Sequence, residues 1–258
     1  MPPITKPMRK SRDGAPRHGL ARALSKLGVA SRTESTRLIL AGRISVDGQV
    51  VTDPEHGVQV GRSVLSLDGV RVGAAAPVYL MLNKPRGLVT TASDPQGRPT
   101  VYSCLEGLDL PHLSPVGRLD KASEGLLLLT NDTLWANAVL EGDAAPLKTY
   151  HVQIDTRPDA DLPARLVSGV MVDEERLRAR TARILREGTR NAWLEIVLDE
   201  GRNRQIRRLL SAFDIAVLRL VRVAIGDLTL GDLGKGAARE LTSDEARGLA
   251  PMGLIAKL

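Results

Sequence analysis

Arg118, Asp120, Lys121 and Glu124 fall within seven residues, and four consecutive leucines follow at 126–129. A carboxylate next to a guanidinium is held in its ionised form and in one orientation, so Asp120 has the makings of a nucleophile or a base. Gly117 and Gly125 bracket the cluster and accept backbone turns that other residues resist. A core-anchored strand on one side and glycine freedom on the other are the supports a positioned catalytic group needs. The same residues also fit an ordinary turn with an Arg118–Asp120 or Asp120–Lys121 surface pair, which contributes little.

Two other segments carry groups of the same kind. EGRNRQIRRLL, with the residues after it, puts Ile206, Leu209, Leu210 and Phe213 on one helical face and Arg204, Arg207 and Arg208 on the other. KTYHVQID alternates as a strand, with Lys148, Tyr150, Val152 and Ile154 on one face. Aromatic residues are scarce: Tyr79, Tyr102, Tyr150, Trp135, Trp193 and Phe213 are the full set. Any one of them in a polar, charged neighbourhood is therefore more informative than usual.

The elements that must position these groups can be traced along the chain. At 258 residues and 43% hydrophobic, the chain is long and apolar enough for one large domain, or a small one and a medium one. The N-terminal 17 residues read as a flexible basic arm without the apolar centre of a signal peptide. HGLARALSKLGVA has helical spacing, and Ser31 followed by Glu34 is a capping pattern for a second helix that Gly42 ends. Short strands turn at Asp47-Gly48 and at Asp68-Gly69, as hairpins do. GAAAP at 73–77 reads as a linker. Beyond it, VYLMLN and GLVTT are expected as strands around the turn 84–87, LLLLT as a buried strand and TLWANAVLEG as a helix. RARTARIL and AWLEIVLD form a hairpin across GTRN; NRQIRRLLSAF is a helix, and VLRLVRVAIGDLTL a strand. Strands interspersed with helices and hairpins indicate an α+β domain with a largely antiparallel sheet.

A net charge of +6 and a pI of about 9.8 suit a polyanionic partner. One cysteine, Cys104, precludes an intrachain disulfide, and His18, His56, His112 and His151 are too scattered to suggest a metal site. No apolar run reaches the roughly 18 residues of a membrane span. A cytoplasmic protein is expected.

RALSKLGVASRTESTRLILAGRISVDGQVV resembles the S4 domain of ribosomal proteins and RNA-modifying enzymes, over residues 18–72. Thr33, Asp47 and, further on, Thr133 depart from the usual arginine, asparagine and glycine. Arg22, Lys26, Arg32, Arg37 and Arg43 then form a candidate cationic face opposite the leucines, suited to phosphates and RNA shape rather than base sequence.

Together, GRLDKASEGLLLLTND, NKPRGLVTT, KTYHVQID and EGRNRQIRRLL resemble the bacterial S4-domain pseudouridine synthases that modify ribosomal RNA. The resemblance implies a small N-terminal S4-like RNA-binding domain, then a catalytic domain at 78–250 with a largely antiparallel mixed sheet flanked by helices, and a tail at 251–258. It makes Asp120 the catalytic carboxylate, Tyr150 the residue that packs on the target base and assists proton removal, and Arg207 the partner of the aspartate. Arg118 would enter the gap left by the extruded nucleotide. Lys148 would be a supporting contact and Arg204 a further RNA contact. The implied reaction converts uridine in ribosomal RNA, preferably of the large subunit, to pseudouridine. It needs no metal or other cofactor. The expected partner is ribosomal RNA or a pre-ribosomal particle, met by a monomer away from any membrane. A small-subunit enzyme and a non-catalytic assembly factor are the alternatives within the resemblance. Outside it stands a glycoside hydrolase using Asp120 and Glu124 as paired carboxylates.

Overall fold

The computed structural model describes residues 17–73, 75–141 and 145–250. The basic arm, all but its last residue, and the tail expected at 251–258 lie outside them. The described residues divide into two compact units: the chain up to Val78 together with Asp109–Ser114, and Tyr79–Leu108 with Pro115 onward.

In the first unit, helices Leu20–Lys26 and Arg32–Leu40 cover a small sheet ordered Gln49–Val50, Ile44–Val46, Leu65–Leu67, Val70–Val72. Leu20, Leu24, Ile39 and Ile44 are fully buried between them. The Ser31 hydroxyl accepts from the Glu34 amide at 3.1 Å, the cap the sequence suggested. Asp47-Gly48 and Asp68-Gly69 both have positive φ at each residue, the geometry of a two-residue hairpin turn.

The second unit is built on a nine-stranded sheet. Its main path runs Thr181–Glu187, Ala192–Leu198, Lys148–Ile154, Val217–Ile225, Glu124–Thr130, Tyr79–Lys84, Ala238–Glu240. Pairing along it is antiparallel except where Val221 and Arg222 run parallel to Glu124 and Gly125. All four leucines at 126–129 are fully buried, because the Glu124–Thr130 strand is central and covered on both faces. Two apolar clusters flank it. In one, Ile206, Leu209 and Leu210 of helix Gln205–Ser211 pack with Val152, Ile154 and Leu220. In the other, Trp135 and Val139 of helix Thr133–Leu140 pack with Leu126, Leu128 and Ile225.

Several elements differ from expectation. GLVTT forms no strand; only Val89 is bridged, to Thr100, and the Thr90 hydroxyl donates to the Leu119 carbonyl. Lys84 ends a strand instead of opening a turn. Helices Leu162–Ser168 and Ser243–Leu249 and the hairpin Val170–Val172/Glu175–Leu177 come in addition.

Candidate active site

The turn between Val116 and the Glu124–Thr130 strand is fixed through its backbone. Its five successive carbonyls, from residue 119 to residue 123, all accept hydrogen bonds. Thr90 Oγ1 donates to Leu119 at 2.7 Å, and Lys84 Nζ to Asp120 at 3.2 Å and Ser123 at 2.9 Å. The Gly87 amide donates to Lys121 at 2.8 Å, and Arg207 Nη2 to Ala122 at 3.3 Å. With the main chain so committed, the Asp120 carboxylate is left free to project. It is about one-third exposed in a cleft of about 540 Å³.

Lys84 holds this turn from beneath. It is fully buried, and burial lowers its pKa to about 8, a shift partly offset by the charge of Asp120. Gly125 closes the turn at φ +100°, where an added Cβ would overlap the Arg222 backbone. Here glycine serves a close approach of two main chains as well as a turn.

Arg118, Lys148, Tyr150 and Arg204 line the same cleft as Asp120. Tyr150 is half-buried on its strand, paired directly with Arg222 of the neighbouring one beside a β-bulge. Arg204 begins helix Gln205–Ser211 in a left-handed conformation, φ 48°, and its Nη1 stands 4.0 Å from Asp120 Oδ2. Arg207 is placed otherwise. Its guanidinium donates to the carbonyls of Ala122 and Val217, and its Nε is buried without a partner. Burial and the nearby charge of Arg204 lower its pKa, against the opposing charge of Asp120. Arg204 is thus the guanidinium nearest the carboxylate, and Arg207 braces the backbone two residues on.

Glu124 has a separate fate. Its side chain is buried, bonded by Arg219 at 3.0 Å and Lys235 at 2.7 Å. Burial alone would raise its pKa, but the two cations outweigh that and hold it at about 2. It does not line the cleft, so Asp120 and Glu124 do not form the carboxylate pair of a glycoside hydrolase. Among the described residues, no group of three or more His, Cys, Asp or Glu is placed to hold a metal, and no helix is long and apolar enough to cross a membrane.

In the first unit, Arg22, Arg32, Arg37 and Arg43 are exposed and Lys26 is half-buried. Arg43 is forked onto Asp68, Arg37 meets Glu34 at 3.4 Å, and Lys26 approaches the His18 ring at 3.2 Å. Arg22 and Arg32 have no ion pair among the described residues. Lys84 and Arg222 are site residues that the sequence motifs did not single out. A lysine closing an apolar strand, and an arginine in the middle of one, were the available signals.

The sequence matches the RNA pseudouridylate synthase family over residues 78–212 and the S4 domain over 19–64. It is 35% identical over 233 residues to the ribosomal large subunit pseudouridine synthase B of Bacillus subtilis, covering 89% of this chain and 94% of that protein. The chain belongs to the S4-type pseudouridine synthases. An uncharacterized RNA pseudouridine synthase of Mycobacterium leprae is 38% identical over 233 residues, covering 89% of this synthase and 91% of that one. A crystal structure of a pseudouridylate synthase superposes with a TM-score of 0.63 at 25% identity, covering 90% of this chain and all of the other. The synthase is accordingly an isomerase, with the α+β architecture and S4 front end that its motifs suggested.

Proposed function

We propose that this synthase converts uridine to pseudouridine in large-subunit ribosomal RNA, with Asp120 as the catalytic carboxylate acting on a flipped-out nucleotide. The observation that carries this reading is the turn at 119–123. Every carbonyl is bonded, and the one carboxylate it presents stands in a cleft beside Tyr150. Such fixation removes reorganisation from the reacting step.

The reaction is self-contained. The N1–C1′ bond breaks with its electron pair going to the uracil, the ring turns, and C5 bonds to C1′. The proton on C5 is lost and N1 gains one, so no group is imported and nothing is oxidised. An ionised Asp120 can add to C1′ or remove a sugar proton, and either role needs the carboxylate charged. Unstacking the nucleotide costs a few kcal/mol. Stacking on Tyr150 offsets roughly 1–3 kcal/mol of that. Arg118, exposed at the rim, is suited to the space the nucleotide leaves, and Arg204 to an adjacent phosphate or to Asp120 itself. The S4 unit would hold the surrounding RNA through Arg22, Lys26, Arg32, Arg37 and Arg43.

The choice of the large subunit rests on the Bacillus subtilis relative, and the substrate is placed in the cytoplasm as free RNA or an assembling particle. Pseudouridine mapping of ribosomal RNA from cells lacking the gene tests it. Loss of a large-subunit pseudouridine is expected, and an unchanged map would overturn the proposal.

A further inference from the structure

Arg222 lies on the central Val217–Ile225 strand and is 6% exposed. Its Nε donates to the Leu126 carbonyl at 2.7 Å, which fixes the plane of the guanidinium. Its Nη2 is buried with no hydrogen-bond partner. Buried donors left unpaired are rare because each forfeits its hydration, and one at the wall of a cleft suggests an acceptor supplied from outside. Arg222 lines the cleft that holds Asp120 and Tyr150. Directly paired residues on neighbouring strands share a face of the sheet, so Arg222 and Tyr150 lie side by side.

Lys148 adds a second charge. It lines the same cleft and makes neither a hydrogen bond nor an ion pair among the described residues. Burial, then the nearness of Arg222, lowers its pKa. Asp199, which lines the same cleft, opposes that shift with its charge but makes no ion pair with Lys148. Two adjacent, partly desolvated cations form a cradle for negative charge.

We propose that Arg222 donates to a carbonyl oxygen of the flipped uracil, with Lys148 beside it. This deepens the function proposed above and rests on it. A phosphodiester is less well suited to the position. Arg222 is buried next to the residue on which the base would stack, whereas Arg118 and Arg204 are exposed at the rim where the RNA backbone would pass. When the N1–C1′ bond breaks, negative charge spreads onto O2 and O4 of the departing ring. A fixed guanidinium there stabilises the leaving group more than the ground state.

The test is kcat/KM on a ribosomal RNA fragment carrying uridine, 2-thiouridine or 4-thiouridine at the modified position. Sulfur is a poor acceptor, so the unaltered enzyme should disfavour one of the two analogues by about tenfold, the value of one hydrogen bond to a charged donor. In Arg222→Met that preference should fall to about twofold or less. Should R222M fail to fold, Arg222→Lys keeps the charge without the fixed fork, and its ratio should also shrink. Unchanged ratios in a folded variant would overturn the assignment. So would a weaker RNA affinity with a smaller salt dependence and unchanged ratios, the signature of a phosphate contact. If the unaltered enzyme makes no pseudouridine at all, the parent function fails and this one with it. Normal turnover with unchanged ratios sinks only the role of Arg222.

Discussion

The turn at 119–123 and the basic face of the S4 unit are both polar, yet they are built on opposite plans. In the turn the side chain that matters is free and the backbone beneath it is tied at every carbonyl by donors from distant elements. On the S4 unit the backbone lies in ordinary helices and hairpins, and the side chains are long and mostly exposed, two of them borrowed by local carboxylates. Bond-breaking chemistry tolerates little displacement, so its support is rigid. Recognition of phosphates and helical shape spreads over many contacts and tolerates loose, screened charges.

Substitutions on the two sides should therefore differ in kind as well as size. Asp120→Asn is expected to lower pseudouridine formation by about 10³-fold or more with little change in melting temperature. Tritium release from 5-tritiated uridine in ribosomal RNA measures it, and normal release would refute the role of Asp120. Lys84→Met removes a charged donor from two turn carbonyls and from that of Pro85. It should cost about 3 kcal/mol in stability and about 10²-fold in kcat, with KM little altered. If kcat survives while stability falls, the turn does not need its brace.

Glu124→Gln should destabilise by on the order of 2 kcal/mol at neutral pH while leaving catalysis largely intact. The pH dependence has a definite sign. The folded pKa of Glu124 lies near 2, below its ordinary 4.5, so its contribution is complete above about pH 4.5 and is lost as the pH falls toward 2. The variant should lose less stability than the parent over that window, as followed by acid unfolding. Smallest of all, Arg22→Ala and Arg32→Ala should each weaken RNA binding by a few-fold and reduce the salt slope by about 0.7–0.9. Arg37→Ala and Arg43→Ala, whose guanidinia are already shared, should do less. A uniform loss at all four positions would erase the contrast between free and borrowed charges.

Much of this was legible because the relevant signals are local. Asp47-Gly48 and Asp68-Gly69 specify their own turns, Ser31 caps its own helix, and the 126–129 leucines declare a buried strand. Asp120, Tyr150, Lys148, Arg118 and Arg204 were marked from sequence and share one cleft. What escaped depends on partners far along the chain. Nothing in NKPRG reveals that Lys84 bonds residues 36 and 39 positions away. Arg222 looked like one more residue of an apolar strand, although its unpaired nitrogen is a product of tertiary burial. Helix Leu162–Ser168 is short, with only Pro163 near its start as a signal. Helix Ser243–Leu249 is different, since Thr242 and Glu245 spell a capping box that is local in the sequence.

The parallel pairing on the sheet's main path has a temporal consequence. It joins Glu124 and Gly125 to Val221 and Arg222, and Arg219 reaches back 95 residues to Glu124. Contacts of such separation form late, after the entropy of closing a large loop has been met. A chain still on the ribosome, short of residue 222, therefore carries its aspartate without the strand that pairs just beyond it, at Glu124 and Gly125. Competence should arrive only once residue 222 has been made, and a shorter nascent fragment should bind RNA before it can alter any.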